Sequence, residues 1–257
     1  MGTSRAKTSL TKGGAFPTLI AIITMFFTAT AAPVASAVLG ALLLTGLIAL
    51  SVVLTLAASR LLSKTVLKGE ASSFTLELPP YRRPQFLRVL IRSVFDRTLF
   101  VLGRAVAVAA PAGLVIWCLA NVSAAGETLL SHCCALLDPF GRLLGLDGTM
   151  LAAFLFGFPA NEIVLPLAVM AYTAEPVMPA LGALSDVRAL LTANGWTWQT
   201  AVCALLFTLL HWPCSTTLLT IRKETGSARW TLLACLLPTA FGVAACMLFT
   251  AVMRLVG

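Results

Sequence analysis

Charge is scarce in this chain. Asp, Glu, Lys and Arg make up 11% of its 257 residues, against about 25% in an ordinary soluble domain. Apolar residues reach 59% and the mean hydropathy is +0.95, which excludes a water-soluble enzyme. Signatures of familiar chemistry are also missing. There is no Gly-x-x-x-x-Gly-Lys-Ser/Thr loop for a nucleotide, no Gly-x-Ser-x-Gly, no His-Glu-x-x-His and no paired carboxylates. The seven cysteines contain no Cys-x-x-Cys, are odd in number and mostly sit in apolar runs, which disfavours a disulfide framework or a zinc ribbon. No enzyme is expected. The net charge of +8 does not indicate nucleic acid, because the basic residues fall in short blocks between long apolar runs.

Those apolar runs are what the chain has in abundance. Six stretches, 18–32, 38–58, 98–120, 149–172, 200–221 and 231–252, suit membrane segments. The fold expected is an all-α, polytopic membrane helical bundle. Residues 1–15 form a basic tail, 16–58 two transmembrane helices, 59–97 a basic connector and 98–257 a gate-like domain. Within the connector, 85–98 carries an apolar face and an Arg-rich face, as an interfacial amphipathic helix does. Lys and Arg are concentrated in 1–15, 59–97 and 222–230, and are sparse in 121–148 and 173–199. The positive-inside rule therefore puts the N-terminus and the first three of these segments in the cytoplasm.

By the same rule, segment 149–172 has both flanks outside, so it enters and leaves by one face. Its two apolar halves are each about half a span long, separated by Pro159-Ala160-Asn161-Glu162. Proline removes a backbone donor and disfavours helix in the residue before it. A re-entrant hairpin is expected, with a proline-kinked crossing helix as the alternative. Segment 200–221 is broken in turn by His211-Trp212-Pro213-Cys214. Irregular backbone at membrane depth occurs where it is buried in protein or lines a wet cavity, and ionisable residues there mark ion or substrate paths. Glu162, Asn161, His211 and Cys214 are the candidate metal ligands, a mixed N/S/O set suited to a divalent first-row metal. Pro159 and Pro213, at the two breaks, are the candidate lining of the path. Glu162 equally suits a cap on the second half-helix, and Cys214 a small buried hydrophobe.

The run Gly157-Phe158-Pro159-Ala160-Asn161-Glu162-Ile163-Val164-Leu165-Pro166 resembles the second gate motif of the ferrous iron transport protein B family. His211-Trp212-Pro213-Cys214-Ser215-Thr216-Thr217-Leu218-Leu219 resembles that family's downstream proline-cysteine segment. Lys68-Gly69-Glu70, Phe74 and Glu77-Leu78-Pro79-Pro80-Tyr81-Arg82 with Pro84 are similar to its connector. The resemblance implies a multi-pass protein of the bacterial inner membrane that moves Fe²⁺ as substrate, with no tightly bound cofactor. It carries Asn161 and Glu162 over from the gate, and Cys214, Thr216 and Thr217 from the second segment, while His211 varies among members. Members begin with a GTP-binding domain and a first gate half bearing Gly-Cys-Asn-Val-Pro-Ala, and neither occurs in these 257 residues. The implied partners, besides the lipid bilayer, are a first-half membrane chain, a GTPase chain or further copies of this chain. A stand-alone gate protein of the nucleoside-recognition type for another solute, and a non-transporting remnant or scaffold subunit, are the alternatives.

Overall fold

The computed structural model describes residues 16–28, 33–65, 95, 99–124, 126–174 and 183–256. The tail 1–15, most of the connector 59–97 with its amphipathic segment, and all of 175–182 lie outside the described residues. The described chain is an all-α bundle, with one two-residue antiparallel ladder pairing Ser123–Ala124 (β1) with Glu127–Thr128 (β2).

Helix α1 (Phe16–Ile23) continues into a π-helical turn, Thr24–Thr28. It buries Leu19, Ile22, Ile23 and Met25 and packs on α8 and α2, so it belongs to the interior of the bundle. At about 1.5 Å per residue, these turns are shorter than the full span that 18–32 suggested. Helix α2 (Pro33–Thr65) starts on proline, whose missing N–H falls where a helix has no partner for it. Most of its apolar stretch Val34–Ala57 is exposed, as in a helix facing lipid or a partner, while Leu43, Leu44 and Leu47 rest on the core. Thr45 and Thr55 turn their hydroxyls back onto carbonyls of their own helix, which satisfies them without water.

Helix α3 (Phe100–Asn121) passes through Pro111 without ending. Helix α4 (Leu129–Leu143) follows the β-ladder, capped by the Thr128 hydroxyl on Ser131 N–H. The chain then turns by 108° into α5 (Gly148–Phe156), capped by Asp147. After the first break come a 3₁₀ turn, Asn161–Ile163, and α6 (Val164–Thr173). Pro166 interrupts nothing, because it occupies the first turn of α6, where no intrahelical N–H bond is required. Helices α7 (Leu184–Ala193), α8 (Trp198–Leu210), α9 (Ser215–Thr225) and α10 (Ala228–Val256) complete the fold. Among the described residues, three helical stretches are long and apolar enough to cross a bilayer. They are Val34–Ala57, Trp198–Thr225 taken through its break, and Ala228–Leu255.

The two halves of the first broken segment, α5 and α6, pack against each other. They have nine and ten residues, so each covers about 15 Å, half of a hydrocarbon core about 30 Å thick. Their outer ends are tied together. Tyr172, near the end of α6, donates its hydroxyl to Asp147 at the start of α5, and Trp196 Nε1 donates to the same Tyr172 oxygen at 2.8 Å. Trp196 lies two residues before α8, and its ring lies 5.8 Å from Phe26 in the π-helical turn that follows α1. At the last turn of α10, Arg254 Nη2 donates to Arg142 O at 2.9 Å. One rim of the bundle therefore gathers the beginning of α5, the end of α6, the start of α8 and the end of α10. The basic turn at Arg222, Lys223 and Arg229 joins α9 to α10 at the other end of that pair.

Candidate functional site

The first break begins where α5 stops at Gly157, whose N–H still reaches Ala153 O at 2.8 Å. A Cβ at this position would lie 2.6 Å from Val164 Cγ2 and 2.7 Å from Ala153 O, so glycine is what lets α6 approach so closely. Ala160 is extended, with φ −149° and ψ 114°, and Pro159 before it offers no N–H. Short bonds close the turn, from Ala160 N–H to Gly157 O at 3.0 Å and from Ile163 N–H to Ala160 O at 3.1 Å.

The second break begins at His211, whose backbone turns extended after its N–H donates to Phe207 O at 2.7 Å. The imidazole folds back onto its own helix. Nδ1 lies 2.9 Å from Phe207 O and 3.0 Å from Thr208 O. Both partners are carbonyls, so Nδ1 carries a proton. The histidine thus finishes a helix that proline at 213 prevents from continuing. Cys214 stands at the N-cap position of α9 without a side-chain bond to its N–H groups, its Sγ 3.2 Å from Thr216 Oγ1 and 3.1 Å from Thr217 Oγ1.

The two breaks meet. Ser215 N–H donates to Phe158 O at 3.0 Å, and Ser215 Oγ lies 3.5 Å from Pro159 O. One break thereby satisfies the backbone that the other leaves open, as buried peptide groups require. On the side of the first half-helix, Phe154 packs edge-on against Phe207 with centroids 4.8 Å apart, and its ring lies 5.0 Å from that of His211. Between the first break and α3 lies a mainly apolar cavity of about 370 Å³, bounded by Gly113, Ile116, Trp117, Pro159, Ala160 and Ile163.

The candidate residues divide by environment. His211 is completely buried, Asn161 is buried, and Cys214, Pro159, Thr216 and Thr217 are half-buried. Pro213 is buried as well, and Glu162 is exposed. Among the described residues no three His, Cys, Asp or Glu side chains gather into a group that would hold a metal, so Glu162, His211 and Cys214 do not form a ready cage. The reason lies in the 3₁₀ turn. With about three residues per turn, adjacent Asn161 and Glu162 point about 120° apart, and only Asn161 faces inward.

Residue-type reasoning missed Ser215, Phe154 and Thr208. Ser215 acts chiefly through its main-chain N–H, with its hydroxyl adding a longer contact to Pro159 O, and a serine at a helix start gives no sign of either. Thr208 had one available, being three positions before His211 and so on the same helical face.

Ser215 sits at the first position of α9, where proline is tolerated. Its predecessor Cys214 already has φ −60° and ψ 156°, the conformation that a following proline demands. Ser215→Pro is therefore expected to keep both helices and to remove the N–H bond to Phe158 O together with the 3.5 Å hydroxyl contact to Pro159 O. The stranded carbonyl should lower stability by about 1–3 kcal/mol, read as a downward shift in thermal unfolding in detergent with unchanged helical circular dichroism.

The sequence comparisons agree with one another. Residues 44–96 match the family model described as ferrous iron transport protein B C terminus, and residues 102–228 match the model described as nucleoside recognition. The chain is 28% identical over 204 residues to the Fe(2+) transporter FeoB of Staphylococcus aureus (strain MSSA476), covering 77% of this chain and 29% of that protein. It is 27% identical over 182 residues to the protein of that name from Leptospira biflexa, covering 65% and 26%. For that of Methanocaldococcus jannaschii the figures are 26% over 200 residues, 72% and 28%. The chain thus spans less than a third of the length of the curated relatives it matches. No solved structure matches it.

Proposed function

Because this chain belongs to the ferrous iron transport protein B family, corresponding to part of its C-terminal membrane region, we propose that it is the membrane component of an Fe²⁺ transporter of the bacterial inner membrane. The observation that carries the reading is the junction of the two breaks, Ser215 N–H on Phe158 O at 3.0 Å. Two interrupted helices abut at about half the depth of a bilayer, where broken backbone normally lines an ion or substrate site.

In this reading the rim holding Asp147, Tyr172 and Trp196 faces outward, and the basic turn at 222–230 faces the cytoplasm with the N-terminus. Segment 148–173 is then a re-entrant hairpin whose tip meets the α8–α9 break from the outer side. Fe²⁺ enters past Asn161, Pro159 and the exposed Glu162. It passes His211 and leaves along Pro213, Cys214, Thr216 and Thr217. Nitrogen and sulfur donors suit Fe²⁺ better than Mg²⁺ or Ca²⁺. No nucleotide-binding loop is present in these residues, so a GTPase and a first-half membrane region act from elsewhere, and a second copy of this chain is the other candidate partner.

The test is anaerobic Fe²⁺ uptake into proteoliposomes, with the chain alone and with its co-purified partner. Glu162→Gln and Cys214→Ser are each expected to reduce uptake about tenfold, the effect of about 1.4 kcal/mol on the rate-limiting step. Unchanged uptake in both variants would remove the two breaks from the path. Because residues 102–228 match the model described as nucleoside recognition, labelled nucleoside is the comparison substrate, and its uptake in place of Fe²⁺ would favour the second reading.

A further inference from the structure

All seven cysteines are free thiols, and two of them, Cys203 on α8 and Cys246 on α10, meet across a helix interface. Their side chains hydrogen-bond to each other, and the Cys246 S–H also donates to Cys203 O at 3.5 Å. Both residues are buried, and neither takes part in the two breaks. A buried cysteine is ordinarily a small hydrophobe, inert because nothing reaches it. Two features set this pair apart.

The first is the closeness of the helices. One turn before Cys246, a Cβ at Gly242 would lie 3.2 Å from Leu210 Cβ and 3.3 Å from Leu210 O, so α8 and α10 nearly touch by their backbones. Such closeness is what a bridge between two helices requires. The second is access. Cys203 lines a cavity of about 200 Å³ together with Gln199, Thr200, Thr250, Met253 and Arg254. Gln199 and Arg254 are exposed, so the cavity opens at the rim where α8 starts and α10 ends. Cys203 lies five residues into α8, about 7.5 Å from its first residue. Its Sγ is 3.6 Å from Thr250 Oγ1, and the Arg254 guanidinium adds a positive charge to the same cavity. A hydroxyl donor and a cation both favour the thiolate, which is the reactive form.

We propose that Cys203 and Cys246 are an oxidisable dithiol that reacts with a small hydroperoxide entering through this cavity and closes into a reversible disulfide between α8 and α10. Hydrogen peroxide has two heavy atoms and no charge, so the cavity admits it. The Cys203 sulfur attacks one peroxide oxygen and the O–O bond breaks. The departing oxygen takes the thiol proton and leaves as water, with Cys203 now a sulfenic acid. The Cys246 sulfur then attacks that sulfur, and the hydroxyl leaves with the Cys246 proton as a second water. Two thiols and one hydrogen peroxide thus become one disulfide and two waters, a two-electron oxidation of the pair. A thiol already in contact captures the sulfenic acid before it is oxidised further. The closed bridge fastens α8, which carries the second break, to α10, and a dithiol reductant reopens it by exchange. This inference does not depend on the reading of the breaks as an ion path.

The test uses the full chain, reduced and purified in detergent with iron chelated, then treated with hydrogen peroxide. Remaining thiols are alkylated after unfolding, and the protein is digested without reductant for mass spectrometry. The Cys203 and Cys246 peptides are expected to be joined, and to separate on addition of dithiothreitol. Thermal unfolding of the oxidised chain should shift upward by about 5–10 °C, the effect of one added cross-link. In Cys246→Ala the first step has no second thiol to capture it, so Cys203 should be trapped by dimedone as the sulfenic acid. In Cys203→Ala, Cys246 should remain a thiol, because it has no opening of its own. Recovery of both residues of the parent chain as free thiols after peroxide would refute the dithiol and leave the pair as packing alone. Joining of Cys203 to any other cysteine would refute it equally.

Discussion

Phe154→Ala is expected to destabilise the protein by about 3–5 kcal/mol, the range for removing a buried phenylalanine. Phe154 has no exposed surface. It is the wedge between the first half-helix and α8, with ring centroids at 4.8 Å from Phe207 and 5.0 Å from His211. Truncation leaves a void that the neighbours fill only in part, and it removes the edge-to-face contact, worth about 0.5–1.5 kcal/mol beyond area. The same change frees the His211 ring from one wall of its slot. Thermal unfolding in detergent should report the stability loss, and Fe²⁺ uptake by the folded remainder should fall more than it does for Phe154→Leu, which refills most of the volume. Equal behaviour of the two variants would mean that the ring is not a wedge.

Gly148→Ala should be nearly as damaging, at about 3 kcal/mol or more, because the clash is with backbone and cannot be relieved by a rotamer change. A Cβ there would overlap Cys134 O and lie 2.6 Å from Asp138 N. Gly148 N–H also donates to Asp138 Oδ1 at 3.0 Å, so the residue cannot simply back away. Helices α4 and α5 cross at this point, and separating them pulls Asp147 from Tyr172 and opens the rim of the hairpin. Gly46→Ala is the control, since nothing lies within 4 Å of a Cβ there. It should be neutral or stabilising by up to about 1 kcal/mol, the helix preference for alanine over glycine. A chemical melt in which both variants match the parent would show that the crossing is loose.

The breaks could be read directly from the chain, because proline, asparagine and histidine in the middle of apolar runs have few structural explanations. The half-length of α5 and α6 followed from counting residues. The rim followed only in outline. The charge rule put both flanks of 149–172 on one side, but Tyr172, Asp147 and Trp196 come from three distant stretches, and their bonding depends on packing. Glu162 shows where residue type misleads. A carboxylate in an apolar segment suggests a buried functional group, yet a 3₁₀ turn sends it outward and its neighbour Asn161 inward. Ser215 and Thr208 show the opposite failure. Serine and threonine are common in helices, and only the coordinates reveal that one donates its main-chain N–H across the junction while the other accepts from the His211 ring through its carbonyl. Gly148 was silent for a related reason, because a glycine that permits two backbones to touch looks like any other glycine.

The bond between Ser215 and Phe158 also bears on how the protein is made. Ser215 stands 56 residues after Pro159, so the hairpin leaves the ribosome well before its counterpart exists. Until α8 and α9 arrive, the carbonyls at the hairpin tip face lipid or an insertion machinery with no protein donor, at a penalty of several kcal/mol per unsatisfied group. The nascent hairpin is therefore best held near the interface, in contact with water, and drawn to mid-membrane depth only after the later helices are in place. In the proposed re-entrant arrangement, a chain terminated before residue 215 should still cross the membrane through Val34–Ala57 while its hairpin stays at the surface, open to proteases from the side where it waits.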